Sequence, residues 1–311
     1  MEHYSMPFRS NDCAVAGCNQ AIVVLGTILR ASLRALDLTG EVYKTRVGDA
    51  LELAKLGRSL RQDELTMACL TGPLCHDAGQ IADDLDPSAQ RSGCADMLMR
   101  KGSKILAYDT TYEAFLETLK SVPTPHSTAV VVGAGPAACA AVGACRQLGF
   151  QFVGITSRSW VSTEVLHDSS AAAKLRDLGA LPTLWPSIDD TLQTTNFSRE
   201  MRLQFSELAT FAQVIIQTVA LDPTSNDIRN ICDIIPWTQT RKNAVVCDLV
   251  YGSQPSPFLL EAQKRGLTAI AGVDLLTTRG LRMTETWTGT RPARAPIHAA
   301  AVRACSRTRD E

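Results

Sequence analysis

Short apolar runs of four to seven residues alternate with helix-length amphipathic segments along most of the chain. The runs CAVA (13–16), VYKTRV (42–47), LTMACL (65–70), TAVVV (128–132), FQFVGIT (150–156), QVIIQT (213–218), AVVCDLV (244–250) and TAIAG (268–272) predict strands. Segments such as 28–38, 136–149 and 257–266 predict helices between them. Strands beyond Thr128 are almost continuously apolar, which suits a parallel sheet buried on both faces. Regular strand–helix alternation predicts an α/β fold. Two prolines among small polar residues in SVPTPHS (121–127) mark a domain boundary near Pro123. The polar, poorly periodic stretch Ser187–Glu207 predicts a surface insertion. A last helix, about Ala295–Arg307, carries Ile297, Ala301 and Ala304 or Cys305 at helical spacing.

Composition narrows the class. The chain has 311 residues, 45% apolar and 20% charged, with a net charge of −1. This is the make-up of a globular protein of one large or two ordinary domains. The near-zero charge predicts no direct nucleic-acid or membrane partner. The N-terminus lacks a signal-like apolar stretch, so a cytoplasmic or nuclear location is expected. Ten scattered cysteines without CxxC pairs predict reduced, buried thiols. Cys75, His76 and Asp77 adjoin in sequence, but a working thiol–imidazole pair usually meets from distant segments. His126 and His298 have no metal-ligand spacing, so no metal is expected.

One segment carries a nucleotide-binding pattern. TAVVVGAGPAACAAVGACRQLG reads strand, glycine turn, helix, with Gly133, Gly135 and Ala138 at the three small positions. Gly133 serves the tight turn, Gly135 the approach of a pyrophosphate, and Ala138 the packing of helix on strand. The helix N-terminus, with Pro136 and Ala137 in its first turn, offers its dipole to the anion, though Pro136 has no N–H. After the next strand stand Ser157 and Arg158, where NAD-specific sites carry an acid. A guanidinium there favours a 2′-phosphate, so NADP is expected over NAD.

With these landmarks the chain resembles the shikimate dehydrogenase family over nearly its whole length. LTGPL (70–74), RSGCADMLMRKGSKILAYDTTYEAF (91–115), VVGAGPAA (131–138), SRS (157–159), DLVYGSQPSP (248–257) and GVDLLTTRG (272–280) fall in the family's order and spacing. The resemblance implies an N-terminal α/β substrate domain over 1–122, rejoined by the C-terminal helix (285–311). It implies a Rossmann domain, a doubly wound parallel sheet binding NADP, over 123–284.

The resemblance also shows departures. The family's catalytic lysine and aspartate align with Cys75 and Thr111. Its substrate asparagines align with Asp96 and Asp109, its paired serines with Val23 and Leu25, and its last glutamine with Arg279. Thr71 and Tyr251 are retained. Together Val23, Leu25, Thr71, Asp96, Asp109, Tyr251 and Arg279 would line the ligand pocket. A thiol and a threonine cannot replace a charged proton-transfer pair. Asp96 would repel a substrate carboxylate and Arg279 attract one. This pattern resembles the fungal quinate repressor branch and leads to the expectation of a catalytically inactive regulator of quinate and shikimate metabolism, sensing a pathway metabolite and contacting a transcriptional activator. The alternative is an NADP-dependent shikimate/quinate dehydrogenase-type oxidoreductase with a rebuilt active site.

Overall fold

The structure, a computed structural model, describes residues 11–17, 21–123, 125–186, 196–221, 226–252 and 254–307. The chain divides into two compact units, Met1–Thr110 with Thr277–Glu311, and Thr111–Leu276.

The first unit begins with strand β1 (Cys13–Gly17), helix α1 (Ala21–Ala35), β2 (Val42–Arg46), α2 (Ala50–Arg61) and β3 (Met67–Leu70). It continues with α3 (Leu74–Ile81), the short β4 (Asp84–Leu85), α4 (Pro87–Ser92), β5 (Met97–Lys101) and β6 (Lys104–Tyr108). The sheet order is β2-β1-β3-β5-β6-β4. β1 pairs in parallel with β2 and β3, whereas β3–β5 and β5–β6 are antiparallel. The β5–β6 hairpin was not among the expected strands. Its members MLMRK and KILAY carry charge beside apolar residues, and the connection turns at Gly102, whose φ of +62° suits glycine. Helix starts follow cap chemistry. Asp49 accepts from the Glu52 amide while Glu52 reaches back to the Gly48 amide, and Asp86 caps α4 ahead of Pro87.

The second unit opens with α5 (Thr110–Leu119), β7 (Thr128–Val132), α6 (Pro136–Gln147), β8 (Phe152–Thr156), α7 (Thr163–Asp168), α8 (Ser170–Asp177) and β9 (Leu181–Thr183). It closes with α9 (Asn196–Phe211), β10 (Val214–Gln217), α10 (Asn226–Asp233), β11 (Val245–Asp248), α11 (Pro257–Lys264) and β12 (Thr268–Ile270). Its order, β12-β11-β10-β7-β8-β9, is wholly parallel and reverses direction between β7 and β10. This is the parallel sheet expected from the apolar runs, in the doubly wound arrangement that the resemblance implied. Val130, Val131, Val132, Ile215 and Val246 are fully buried, as a sheet covered on both faces requires.

Two expectations change. The division falls after Thr110, a helix earlier than the prolines near Pro123, because α5 packs with the second unit. Punctuation by proline marks a loop, and a loop need not be where contacts thin out. The stretch expected as an insertion at 187–207 holds the start of α9 instead; its first nine residues lie outside the described ones. Phe205, Leu208, Ala209 and Ala212 recur at helical spacing, and Phe205, Ala209 and Ala212 are fully buried in the core of the second unit.

Helix α12 (Gly272–Thr288) begins in the second unit and continues in the first, where α13 (Arg294–Arg307) follows and packs on α1. Ile297, Ala300, Ala301, Ala304 and Cys305 are buried on α13. The Trp287 indole donates to Thr66 Oγ1 at 3.0 Å, tying the end of α12 to the approach to β3. Where α12 meets α1, a Cβ on Gly280 would lie 2.2 Å from the Ile28 Cγ2 methyl. Gly280→Ala is therefore expected to destabilise the protein by about 1–3 kcal/mol, the range for overpacking a close contact. Thermal denaturation of the variant beside the parent measures it; an unchanged midpoint would contradict the contact.

Candidate functional site

The second unit holds the glycine turn at the C-terminal end of β7, beside the point where the strand order reverses. Gly133 has φ +123°, donates its amide to Thr156 O at 2.9 Å, and admits no side chain, since a Cβ would lie 2.3 Å from Thr218 Oγ1. Gly135 caps α6 with extended backbone, and a Cβ there would meet nothing within 4 Å. The protein's own packing thus explains Gly133 but not Gly135. Open space over a glycine at a helix N-terminus is the room a phosphate needs. Pro136 takes the first helical position, Ala137 follows it on the same turn, and the Ala138 and Cys139 amides turn back to Gly135 O at 3.0 and 3.1 Å. Ala138 is fully buried against the sheet. The turn therefore fits the pyrophosphate of a dinucleotide.

Beyond β8, Ser157 Oγ lies 3.1 Å from Ser159 Oγ, and the exposed Arg158 donates to Asp227 Oδ2 at 2.7 Å. Asp227, on α10, is a partner that sequence spacing could not suggest; it lies 69 positions away in the chain. An exposed pair of this kind is weak, so Asp227 could yield Arg158 to an anionic ligand. Tyr251 lies half-buried just after β11. Nearby, Asp248 is buried, accepts from the Val250 amide at 2.9 Å and from the Ser256 hydroxyl, and Ser256 in turn caps α11. Burial raises the Asp248 carboxyl to about 6, against the lowering effect of those two hydrogen bonds. The folded state then binds its proton more tightly than the unfolded chain does. Its stabilising contribution is complete at acid pH below the unfolded carboxylate value, near 4, and is lost as pH rises through about 6. Asp248→Asn is expected to remove a decline of roughly 2–3 kcal/mol between those limits, read from urea unfolding at stepped pH.

In the first unit the structure brings together Thr71, Cys75, Asp96, Asp109 and Arg279. Thr71 follows β3, with Oγ1 3.4 Å from Ala16 O; a Cβ on Gly17 would collide with that hydroxyl. Asp96 precedes β5, and its Oδ1 accepts both the amide and the hydroxyl of Thr110 at 2.8 Å. Arg279, on α12, places Nε 3.0 Å from Asp96 Oδ2. Nε makes no well-directed hydrogen bond, so that attraction is chiefly coulombic. Its Nη2 donates to Leu70 O at 2.7 Å and faces Cys69 Sγ at 3.6 Å. The guanidinium is only 11% exposed and the carboxylate 5%. Asp109, also buried, donates its amide to Ser88 Oγ at 3.0 Å, and that hydroxyl donates to Asp86. Cys75 is buried on α3, and burial first, then the neighbouring carboxylate of Asp96, pushes its thiol well above the ordinary value. Burial thus favours the neutral thiol over the thiolate.

Two expectations change here. Asp96 and Arg279 do not present opposite charges to a ligand; they neutralise each other. Leu25 is fully buried on α1 and so belongs to the core rather than to a pocket wall, while Val23 is half-buried. His76 Nδ1 faces Cys94 Sγ at 3.4 Å, from a segment 18 positions away, rather than its sequence neighbour Cys75. Thr111 stands in the first turn of α5, in the second unit. All nine described cysteines are free, and among the described residues no group of three metal-ligating side chains comes together. Among them, too, no helix is long and apolar enough to cross a membrane.

Arg279→Met would leave Asp96 buried without its counter-charge. We expect a loss of about 3–5 kcal/mol by urea denaturation, with most of it recovered when Asp96→Leu is added.

Comparison with known proteins bears on the function. No family model matches the chain. It is 28% identical over 278 residues to a shikimate dehydrogenase (NADP(+)) of Thermus thermophilus, covering 88% of this chain and 90% of the relative. It is 26% identical over 272 residues to the Bacillus subtilis protein of the same name, covering 85% and 87%. Its structure superposes on that of a Thermus thermophilus shikimate 5-dehydrogenase in complex with NADP(H) and shikimate, with a TM-score of 0.73 at 24% identity over 94% of this chain and 99% of the other. The resemblance to the shikimate dehydrogenase family is thus supported by bacterial relatives and by a shared fold. The expectation of an inactive, repressor-like regulator is corrected. The relatives that span the chain are named as shikimate dehydrogenases, that is, as enzymes.

Proposed function

We propose that this chain is an NADP-dependent oxidoreductase of the shikimate dehydrogenase type, with a rebuilt substrate site in its first unit. The observation that carries this reading is the glycine turn, where Gly135 keeps a space that the protein's own packing does not use. Gly133 to Ala138 would hold the pyrophosphate, and Arg158 the 2′-phosphate. NADP, when bound, supplies a hydride acceptor.

The chain's residues must then manage a proton. Oxidation of a secondary alcohol breaks a C–H bond, whose electron pair leaves as hydride to NADP⁺, and an O–H bond, whose proton needs an acceptor. Cys75 is unsuited, because its thiol stays protonated. Asp96 is engaged by Arg279 and Thr110. The acceptor in this reading is Asp109, a buried carboxylate at a position that the resemblance aligns with the family's substrate residues, and Thr71 orients the hydroxylated ring.

The assay is NADPH formation at neutral pH with a panel of polyhydroxylated cyclic compounds that includes shikimate and quinate, alongside thermal stabilisation by NADPH and NADH. Turnover on at least one compound and stronger stabilisation by NADPH are expected. Arg158→Ala should cut the preference for NADPH by roughly 1–3 kcal/mol, and Asp109→Asn should lower kcat about 10²–10⁴-fold while leaving NADPH stabilisation intact. Absence of both turnover and stabilisation would overturn the reading.

A further inference from the structure

The ion pair beyond β8 bears on how the coenzyme is chosen. Arg158 Nη1 donates to Asp227 Oδ2 at 2.7 Å, and both residues lie in the second unit. The guanidinium is 40% exposed and the carboxylate 50%, so a solute can reach both groups. Among the described residues, Asp227 is the hydrogen-bond partner that the structure gives the Arg158 side chain. Arg158 follows β8 closely, and Thr156, the last residue of that strand, accepts the Gly133 amide at 2.9 Å. The pair therefore belongs to the strand next to the glycine turn. Asp227 stands in the first turn of α10, where the helix dipole favours a negative charge. The chain thus sets an anion of its own against the guanidinium.

A 2′-phosphate and this carboxylate call on the same donors. The phosphate brings roughly −1.5 to −2 charges and three acceptor oxygens, and the carboxylate a single charge. The phosphate is the stronger ligand for a guanidinium. To bind, it must displace Asp227 or sit beside it. Displacement costs the existing pair, and sitting beside it costs like-charge repulsion. Either way the carboxylate weakens a 2′-phosphorylated coenzyme. A coenzyme with a free 2′-hydroxyl makes no such claim on the guanidinium and leaves the pair intact.

We propose that Asp227 is a specificity-determining residue of the coenzyme site, an internal competitor that holds Arg158 and moderates the preference for NADP over NAD. The proposal rests on the NADP-dependent reading above, in which Arg158 receives the 2′-phosphate.

Isothermal titration calorimetry of NADPH and NADH on the full chain tests it. The unmodified protein is compared with Asp227→Asn, Arg158→Ala and the double variant, at low and at high salt. Asn keeps the shape of the side chain and removes its charge. Asp227→Asn is expected to bind NADPH about three- to tenfold more tightly at low salt, and NADH within about twofold of the parent. The gain should shrink at high salt, since screening weakens exposed charges. It should also shrink in the Arg158→Ala background, where no guanidinium is left to release. Asp227→Ser, also uncharged and suited to a helix N-terminus, repeats the test if Asn disturbs α10. A pair that served the fold alone would shift the thermal midpoint and neither coenzyme. NADPH binding that is unchanged or weakened by loss of the Asp227 charge overturns the proposal, as does an equal gain for NADPH and NADH. If Arg158→Ala in the same series still removes a preference for NADPH, the NADP-dependent reading stands without it. Binding of neither coenzyme, by the unmodified protein or by Asp227→Asn, overturns both.

Discussion

A guanidinium buried in a protein must bring its own counter-charge, and the first unit is organised around that demand. Arg279 comes from near the C-terminus, Asp96 from the approach to β5, and Leu70 from the end of β3, so one residue joins a helix to two neighbouring strands. Asp96 answers with its other oxygen to Thr110, at the point where the chain leaves β6. The group is almost wholly buried, and removing one member leaves the others costly.

The second unit obeys a different constraint. A parallel sheet buried on both faces must find covering helices, and its ligand site forms where the strand order reverses. Gly133 lies there because Thr218 approaches too closely for any side chain. Gly135 has no such neighbour, and the contrast between two glycines of one motif separates structural need from room for a ligand. Asp248, raised to about 6 by burial, shows that this unit tolerates an acid that is costly to ionise in exchange for closing the loop after β11 through Val250 and Ser256.

Replacement of the family's lysine by Cys75 and of its aspartate by Thr111 suggested a dead enzyme. That inference treats an active site as a set of named positions. The structure pairs the two charges that had been read separately: a carboxylate at 96 with a guanidinium at 279, on different elements and 3.0 Å apart. The relatives that span the chain are named as enzymes.

The doubly wound sheet, the glycine turn and the final helix were legible in the sequence, because they rest on local periodicity and on steric rules that act between near neighbours. The β5–β6 hairpin was not, since its charged strands lack the apolar run that marks a buried strand, and α9 was hidden behind a polar beginning. Most of all, the sequence placed Asp96 and Arg279 as separate charges with opposite effects on a ligand. Their pairing, like that of Arg158 with Asp227 and of His76 with Cys94, joins residues between 18 and 183 positions apart. Distances across such spans are set by how helices and strands pack, and electrostatics in a buried place depends on those distances more than on the identities of the charges.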